Sequence, residues 1–286
     1  MFETRTLPSD LESVRDEYAP GALVLDVAGD FDTIPPEAAE NLGLVVESLS
    51  PAAYPAEWLP DDSPQQLRRY ASSDFTIGMP GDGTVTWSRQ TDPPVVLVKY
   101  RAKGTPDDFL DFLIAEAFVQ AGNDEIPEHF LPFFGERYRD LAAATPLGPS
   151  ETYQVAAALY EGWVGLHTRE AFASWEGDHD RLHEAWVDAG GRLDDRLANL
   201  PRLVALGRLS FAEATEFACS AVKHGRDLPA PFSALDTAAY RDHGPSYAVK
   251  WAEKTFAQLA ADDDADSVDD DDPTADDSGD DAADST

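Results

Sequence analysis

The stretch "DFTIGMPGDGTVTWSRQTDPPVVLVKYR" (74–101) decides the fold class. Its segments "DFTIGM" (74–79) and "TVTWSRQ" (84–90) are rich in β-branched and aromatic residues. The glycine-containing "PGDG" (80–83) separates them, as in a β-hairpin. After "TDPP" a third strand is predicted over "VVLVKYR" (95–101). The two-residue period of a strand puts Phe75, Ile77 and Met79 on one face of the first, and Val85, Trp87 and Arg89 on one face of the second. The expectation is a small antiparallel β-meander.

On the N-terminal side, a short helix is predicted over 9–18, a strand over 22–27 and helices over 35–49 and 64–72. On the C-terminal side the pattern becomes helical. In "TPDDFLDFLIAEAFVQAG" (105–122), Thr105 reads as the cap and Pro106 as the first helical residue. Acids fill the first turn and Gly122 ends the helix. Further helices are expected over about 127–144, 150–176, 179–198, 210–224, 233–241 and 246–260. The class is therefore α+β: a meander with helices in residues 1–124, a helical bundle over 125–261, and a tail over 262–286. The boundary at "NDEIP" (123–127) is weak, and the two parts can share a core. The tail holds 13 Asp and no base, cannot bury anything, and is expected to be disordered.

The formal net charge is −34, and most of it lies outside that tail. Such charge repels itself in dilute solution. At 1 M salt the Debye length falls to about 3 Å and the repulsion is screened. Aspartate exceeds glutamate (36 to 19) and arginine exceeds lysine (16 to 5), which together with the charge points to a halophilic cytoplasm. Acidity then says little about partners, and the scarce bases become the informative residues. No basic stripe runs along the chain, which disfavours nucleic acid. The single Cys219 excludes an internal disulfide and any CxxC zinc site. There is no secretory signal pattern and no apolar run near the roughly 18 residues of a membrane span, so a cytoplasmic protein with no membrane association is expected. No glycine-rich phosphate loop and no cofactor motif is present.

Four groups of residues could carry chemistry. In "HDRLHEAW" (179–186), His179 and His183 lie one turn apart, a metal-ligand spacing, with Asp178 read as the cap and His179 as the first helical residue. A zinc ion wants at least three protein ligands and no third is local, so the two histidines read better as the polar edge of a packed helix. His167 and Cys219 lie on or beside apolar stripes and read as packed side chains. "KHG" (223–225) reads as a helix end, two bases at the negative pole of the helix followed by glycine. In the meander, Arg89, Lys99, Arg101 and Lys103 gather near Trp87 and Tyr100, a candidate site for a small anion or an acidic partner segment. The competing reading is neutralisation of the protein's own acids, and such surface pairs are weak. Last, Tyr240, Arg241, Asp242 and His243 crowd a turn closed by Gly244 and Pro245; Arg241 could orient a ligand, and His243 with Asp242 could exchange a proton.

The strings "MPGDGTVTWSRQTDPPVVLVK" (79–99) and "ALDTAAYRDHGPSYAVKWAEKTF" (234–256) resemble a haloarchaeal family of uncharacterised cytoplasmic proteins, over most of residues 1–257. That resemblance implies a halophilic, archaeal setting and transfers no catalytic residue. The order helix–meander–helix over 64–121 is similar to that of secretion-chaperone-like α/β folds, an analogy of fold alone. The leading expectation is a non-enzymatic protein- or ligand-binding accessory protein using Trp87, Arg89, Lys99, Arg101 and Arg241. The alternative is a hydrolase in the helical part, with a metal on His179 and His183 or with His243 and Asp242 as acid and base. A third is a homo-oligomer built on the Trp-rich helices.

Overall fold

The computed structural model describes residues 2–71, 77–79 and 83–269, the last eight by backbone alone. The strands are β1 (Phe2–Thr4), β2 (Leu23–Val27), β3 (Ser48–Leu49), β4 (Val85–Ser88), β5 (Thr91–Asp92) and β6 (Val95–Val98). The helices of the first half are α1 (Ser9–Tyr18), α2 (Pro36–Leu42), α3 (Gln65–Ala71) and α4 (Asp107–Ala121). Those of the second half are α5 (Phe130–Phe134), α6 (Arg137–Ala144), α7 (Pro149–Ala173), α8 (Asp180–Gly191), α9 (Asp194–Leu197), α10 (Leu200–Ala205), α11 (Phe211–Val222) and α12 (Ala238–Asp269). The class is α+β, with a small sheet and mostly helices after it.

The sheet differs from a simple meander. Among the described residues its order is β1-β2-β6-β4, with β2 parallel to β6 and both outer pairs antiparallel. The predicted pairing of the second and third strands holds, with Trp87 opposite Val96 and Val85 opposite Val98. Of the predicted first strand, 74–76 lie outside the described residues, and 77–79 form no strand; the Ile77 carbonyl accepts from the Ile34 N–H at 3.1 Å. The neighbour of "VVLV" is instead β2, from some 70 residues upstream. An unbroken apolar run suits a central strand covered on both faces, and all four of its residues are buried.

Each face of the sheet has its own core. Val24, Trp87, Val96 and Val98 join the large core under α1 and α4, which continues through the helices to Ala252. Leu25, Val95 and Leu97 face a smaller core with Ile34, Leu42 and Ile77. In α4, Pro106 stands one place earlier than predicted, as the cap itself. Gly135, with φ 53°, splits the run expected over 127–144 into α5 and α6. The helices α7 and α11 pack closely: an added Cβ on Gly162 would stand 3.1 Å from the Cys219 Sγ, and one on Gly165 2.8 Å from the Lys223 backbone nitrogen. The helix α8 is tied to α1 and α4 by Arg181, which reaches Asp10 (2.8 Å), Asp108 (2.9 Å) and Asp111 (2.7 Å).

The "RDHGPSY" segment falls where two helices joined by a turn were expected, and it is a kink between two helical runs that together span α12. Gly244 takes φ 45° and ψ −122°, a conformation that a side chain would strain. Pro245 has no N–H to give to Arg241, four residues back. The freed Arg241 carbonyl accepts from the Trp163 indole Nε1 at 3.0 Å. Trp163→Phe is expected to cost about 1–2 kcal/mol by removing the indole donor from that carbonyl, read as a lower denaturant midpoint at constant m. An unchanged midpoint would mean that solvent satisfies it equally well. Beyond the kink the helix backbone reaches Asp269, and residues 270–286 lie outside the described residues.

Candidate functional site

A cleft of about 660 Å³ opens between the sheet and three helices. Its walls come from Val85 and Trp87 of β4, Phe109, Leu113 and Glu116 of α4, Tyr153, Gln154 and Glu161 of α7, and Glu216 and Ser220 of α11. Phe130 closes one side, and Lys223 stands just past the end of α11. The volume and the mix of aromatic surface with a few polar groups are those of a small-molecule site.

A row of hydrogen bonds runs along the wall of the cleft. The Trp87 Nε1 donates to the Gln120 Oε1 at 2.7 Å. The Gln120 Nε2 donates to Glu116 at 3.2 Å. The Lys223 Nζ donates to both Glu116 oxygens, at 2.8 and 2.9 Å. Glu116 is buried within α4, so its carboxylate depends on this partner. Burial pulls the Lys223 pKa down, but the Glu116 carboxylate outweighs it and holds the ammonium above its ordinary range. Lys223 is therefore a charged structural base. Cys219, on the same wall, is pushed well up by burial and then by Glu161, and stays a thiol.

At the end of β4, Glu128 accepts from the Arg89 backbone N–H (2.5 Å), the Gln90 Nε2 (2.8 Å) and the Ser88 Oγ (3.1 Å). Burial raises its pKa against those bonds. Next to it, His129 accepts the Leu131 N–H on Nδ1 and so caps α5; burial lowers its pKa to about 3, and it is neutral.

The meander bases do not form one surface. Trp87 faces the cleft. The Arg89 guanidinium, 5.3 Å from the Trp87 ring, bonds the Asn123 carbonyl (2.9 Å), the Ile126 carbonyl and Asp124 (3.3 Å). Lys99 is buried on the other side of the sheet, its Nζ 5.0 Å from the Phe31 ring. Arg101 reaches Asp30 (2.8 Å), the Phe31 carbonyl (2.8 Å) and Asp32 (3.6 Å). Arg89 and Arg101 thus anchor the protein's own loops. Lys103 lies over Tyr100 at 4.0 Å.

The remaining candidates stand apart from the cleft. Arg241, Asp242 and His243 are exposed before the kink, with Arg241 3.3 Å from Asp242, and none of them lines the cleft. His179 is the cap residue of α8, one place earlier than predicted, because Asp180 accepts the Gly177 N–H and opens the first turn. His183 lies 5.6 Å from the Trp186 ring. Among the described residues no three His, Cys, Asp or Glu side chains stand together as a metal cage. His167 packs 4.2 Å from the Trp163 ring, and burial lowers its pKa. His224 sits against the Trp186 carbonyl, its pKa lowered to about 3 by burial and the Lys223 charge.

Sequence reasoning missed Glu116, Gln120, Glu128 and Lys223. Two signals point to them: Glu116 is the lone acid inside "FLIAEAFV" (112–119), and Lys223 is one of only five lysines.

Fold and cleft together define an α+β protein with a preformed amphipathic cavity between a small mixed sheet and a helical layer. The chain belongs to the DUF7089 family, a family of unknown function, which it matches over residues 1–259. No curated protein and no solved structure matches it. Among the described residues no helix is long and apolar enough to cross a membrane.

Proposed function

We propose that this protein is a non-enzymatic ligand-binding accessory protein of a high-salt cytoplasm, and that the cleft beside Trp87 is its binding site. The carrying observation is the fixed row Trp87–Gln120–Glu116–Lys223 on the wall of an aromatic-lined cavity. Such a row holds its polar groups in place before any ligand arrives, so little ordering cost falls on binding. The groups that could do chemistry there are occupied. Lys223 is locked to Glu116, Cys219 is a protonated thiol and His129 is an uncharged helix cap. Of the five binding residues expected from sequence, Trp87 is the one retained; Arg89, Lys99 and Arg101 hold neighbouring parts of the protein, and Arg241 lies elsewhere.

The test uses a neutral probe, 4-phenylbutan-1-ol, titrated calorimetrically into the full chain in molar KCl. A Kd of about 0.1–1 mM is expected for a probe of this size. Ala157 lines the cleft on α7 and is half-buried, so Ala157→Trp should plug it and weaken the probe at least about tenfold. Ala157→Phe serves as a smaller plug, and circular dichroism checks the fold of both. Probe binding that ignores both plugs would sink the assignment.

A further inference from the structure

We propose that a second pocket, apart from the cleft, binds a small neutral polyol, a short carbon chain with neighbouring hydroxyls. It has a volume of about 260 Å³ and lies between the turn 60–63 and the helices α6 and α7. The turn is fixed in place. The Ser63 N–H donates to the Pro60 carbonyl at 3.1 Å, and the Arg68 Nε donates to the Ser63 carbonyl at 3.2 Å. From α6, the Arg139 Nη1 holds the neighbouring Leu59 carbonyl at 2.9 Å.

Two hydroxyls of its wall lack a partner. Tyr138 is 1% exposed, with its ring packed edge-on 5.3 Å from Phe130. Its hydroxyl makes no hydrogen bond among the described residues. That hydroxyl faces the pocket rim: burial and then the charge of Asp62, which lines the pocket, raise its pKa and keep it a protonated donor. Ser63, 8% exposed, also lines the pocket, and its buried Oγ has no partner. A third hydroxyl, that of Thr152, is already engaged by the Thr145 Oγ1 at 3.4 Å and the Leu147 carbonyl at 3.5 Å. A buried hydroxyl without a partner is a cost to the fold, and a ligand that supplies the partner removes it. The chemistry of the ligand follows from what these groups need. A hydrocarbon would leave both hydroxyls orphaned. An ammonium has no lone pair to accept the Tyr138 proton, and an anion would meet Asp62 with the wrong sign. A ligand hydroxyl can accept from Tyr138 and donate to Asp62 or Ser63, while Ala142 and Pro149 give its carbon chain an apolar wall. The space far exceeds one water's share of about 30 Å³ and falls below the roughly 300 Å³ at which drug-sized sites begin.

Three probes with a four-carbon body separate these chemistries: meso-erythritol, butan-1-ol and butylammonium. Each is titrated into the isotope-labelled full chain in molar KCl and followed by amide chemical shifts. Erythritol is expected to saturate the shifts of Ser63, Arg139 and Thr152 with a Kd of about 1–10 mM, at least about tenfold tighter than either other probe. Tyr138→Phe and Ser63→Ala each delete one orphaned hydroxyl and no hydrogen bond within the protein. Both should therefore fold as the parent does and weaken erythritol at least about fivefold. Shifts at these residues that grow without saturating would mean that the pocket holds water only, and they overturn the proposal. Butan-1-ol binding as tightly as erythritol overturns it by making the pocket merely apolar. Butylammonium doing so overturns it in favour of a cation held by Asp61 and Asp62. Full erythritol affinity in either variant overturns it too, and none of these results bears on the cleft.

Discussion

Lys223→Met is expected to lower the unfolding free energy by about 3 kcal/mol and the melting temperature by about 6–12 °C. The side chain itself is replaceable in volume. The loss comes from Glu116, whose side chain is 8% exposed and which would keep a buried charge without its ammonium. Lys223 is the more exposed partner at 22%, so Glu116→Gln should cost less, about 1 kcal/mol. Glu116→Leu combined with Lys223→Met removes both charges and should recover most of the loss, since a buried pair is often no better than apolar packing. A deficit below about 1 kcal/mol would show that solvent reaches Glu116 and that the row beside the cleft is not a buried one.

Gly122→Ala should be nearly as damaging, for a steric reason. A Cβ at this position would stand 1.9 Å from the Tyr18 carbonyl oxygen and 2.7 Å from its carbon, both backbone atoms at the end of α1. Flexible side chains can yield to such a contact and a helix terminus cannot, so α1 must shift against α4. The expected cost is about 3 kcal/mol, at the upper end for overpacking. Chemical denaturation measures it, and faster proteolysis within residues 9–18 would mark where the structure gives way. In sequence Gly122 reads as a conformational stop, yet its φ is −82°, accessible to any residue. What the position requires is the absence of a side chain.

Much of the architecture was legible because it is local. The capping signature over 105–122 places α4 to within two residues, and Ser210 with Glu213 forms the capping box that opens α11. The β4–β6 pairing follows from alternation and the short connection between the strands. Trp87 stands out in the sequence as a binding residue because it is an aromatic among scarce bases, and it does line the cleft. Its basic neighbours mislead for a physical reason. In a chain with 55 acids and 21 bases, an arginine near a loop finds an intramolecular carboxylate or carbonyl before it finds a ligand, as Arg89 and Arg101 do.

By itself the sequence determined the α+β class, the helical second half, the acidic character and the edges of α1, α3, α4, α7 and α11 to within a few residues, since periodicity, capping and turn chemistry act over a few residues. Only the tertiary structure decided that β2 lies parallel beside β6, that α1 abuts α4 at Gly122, and that Lys223 meets Glu116 across 107 residues of chain. Those contacts depend on how separate elements bury their apolar faces against each other. No local pattern encodes that choice, and the cleft is what those faces leave between them.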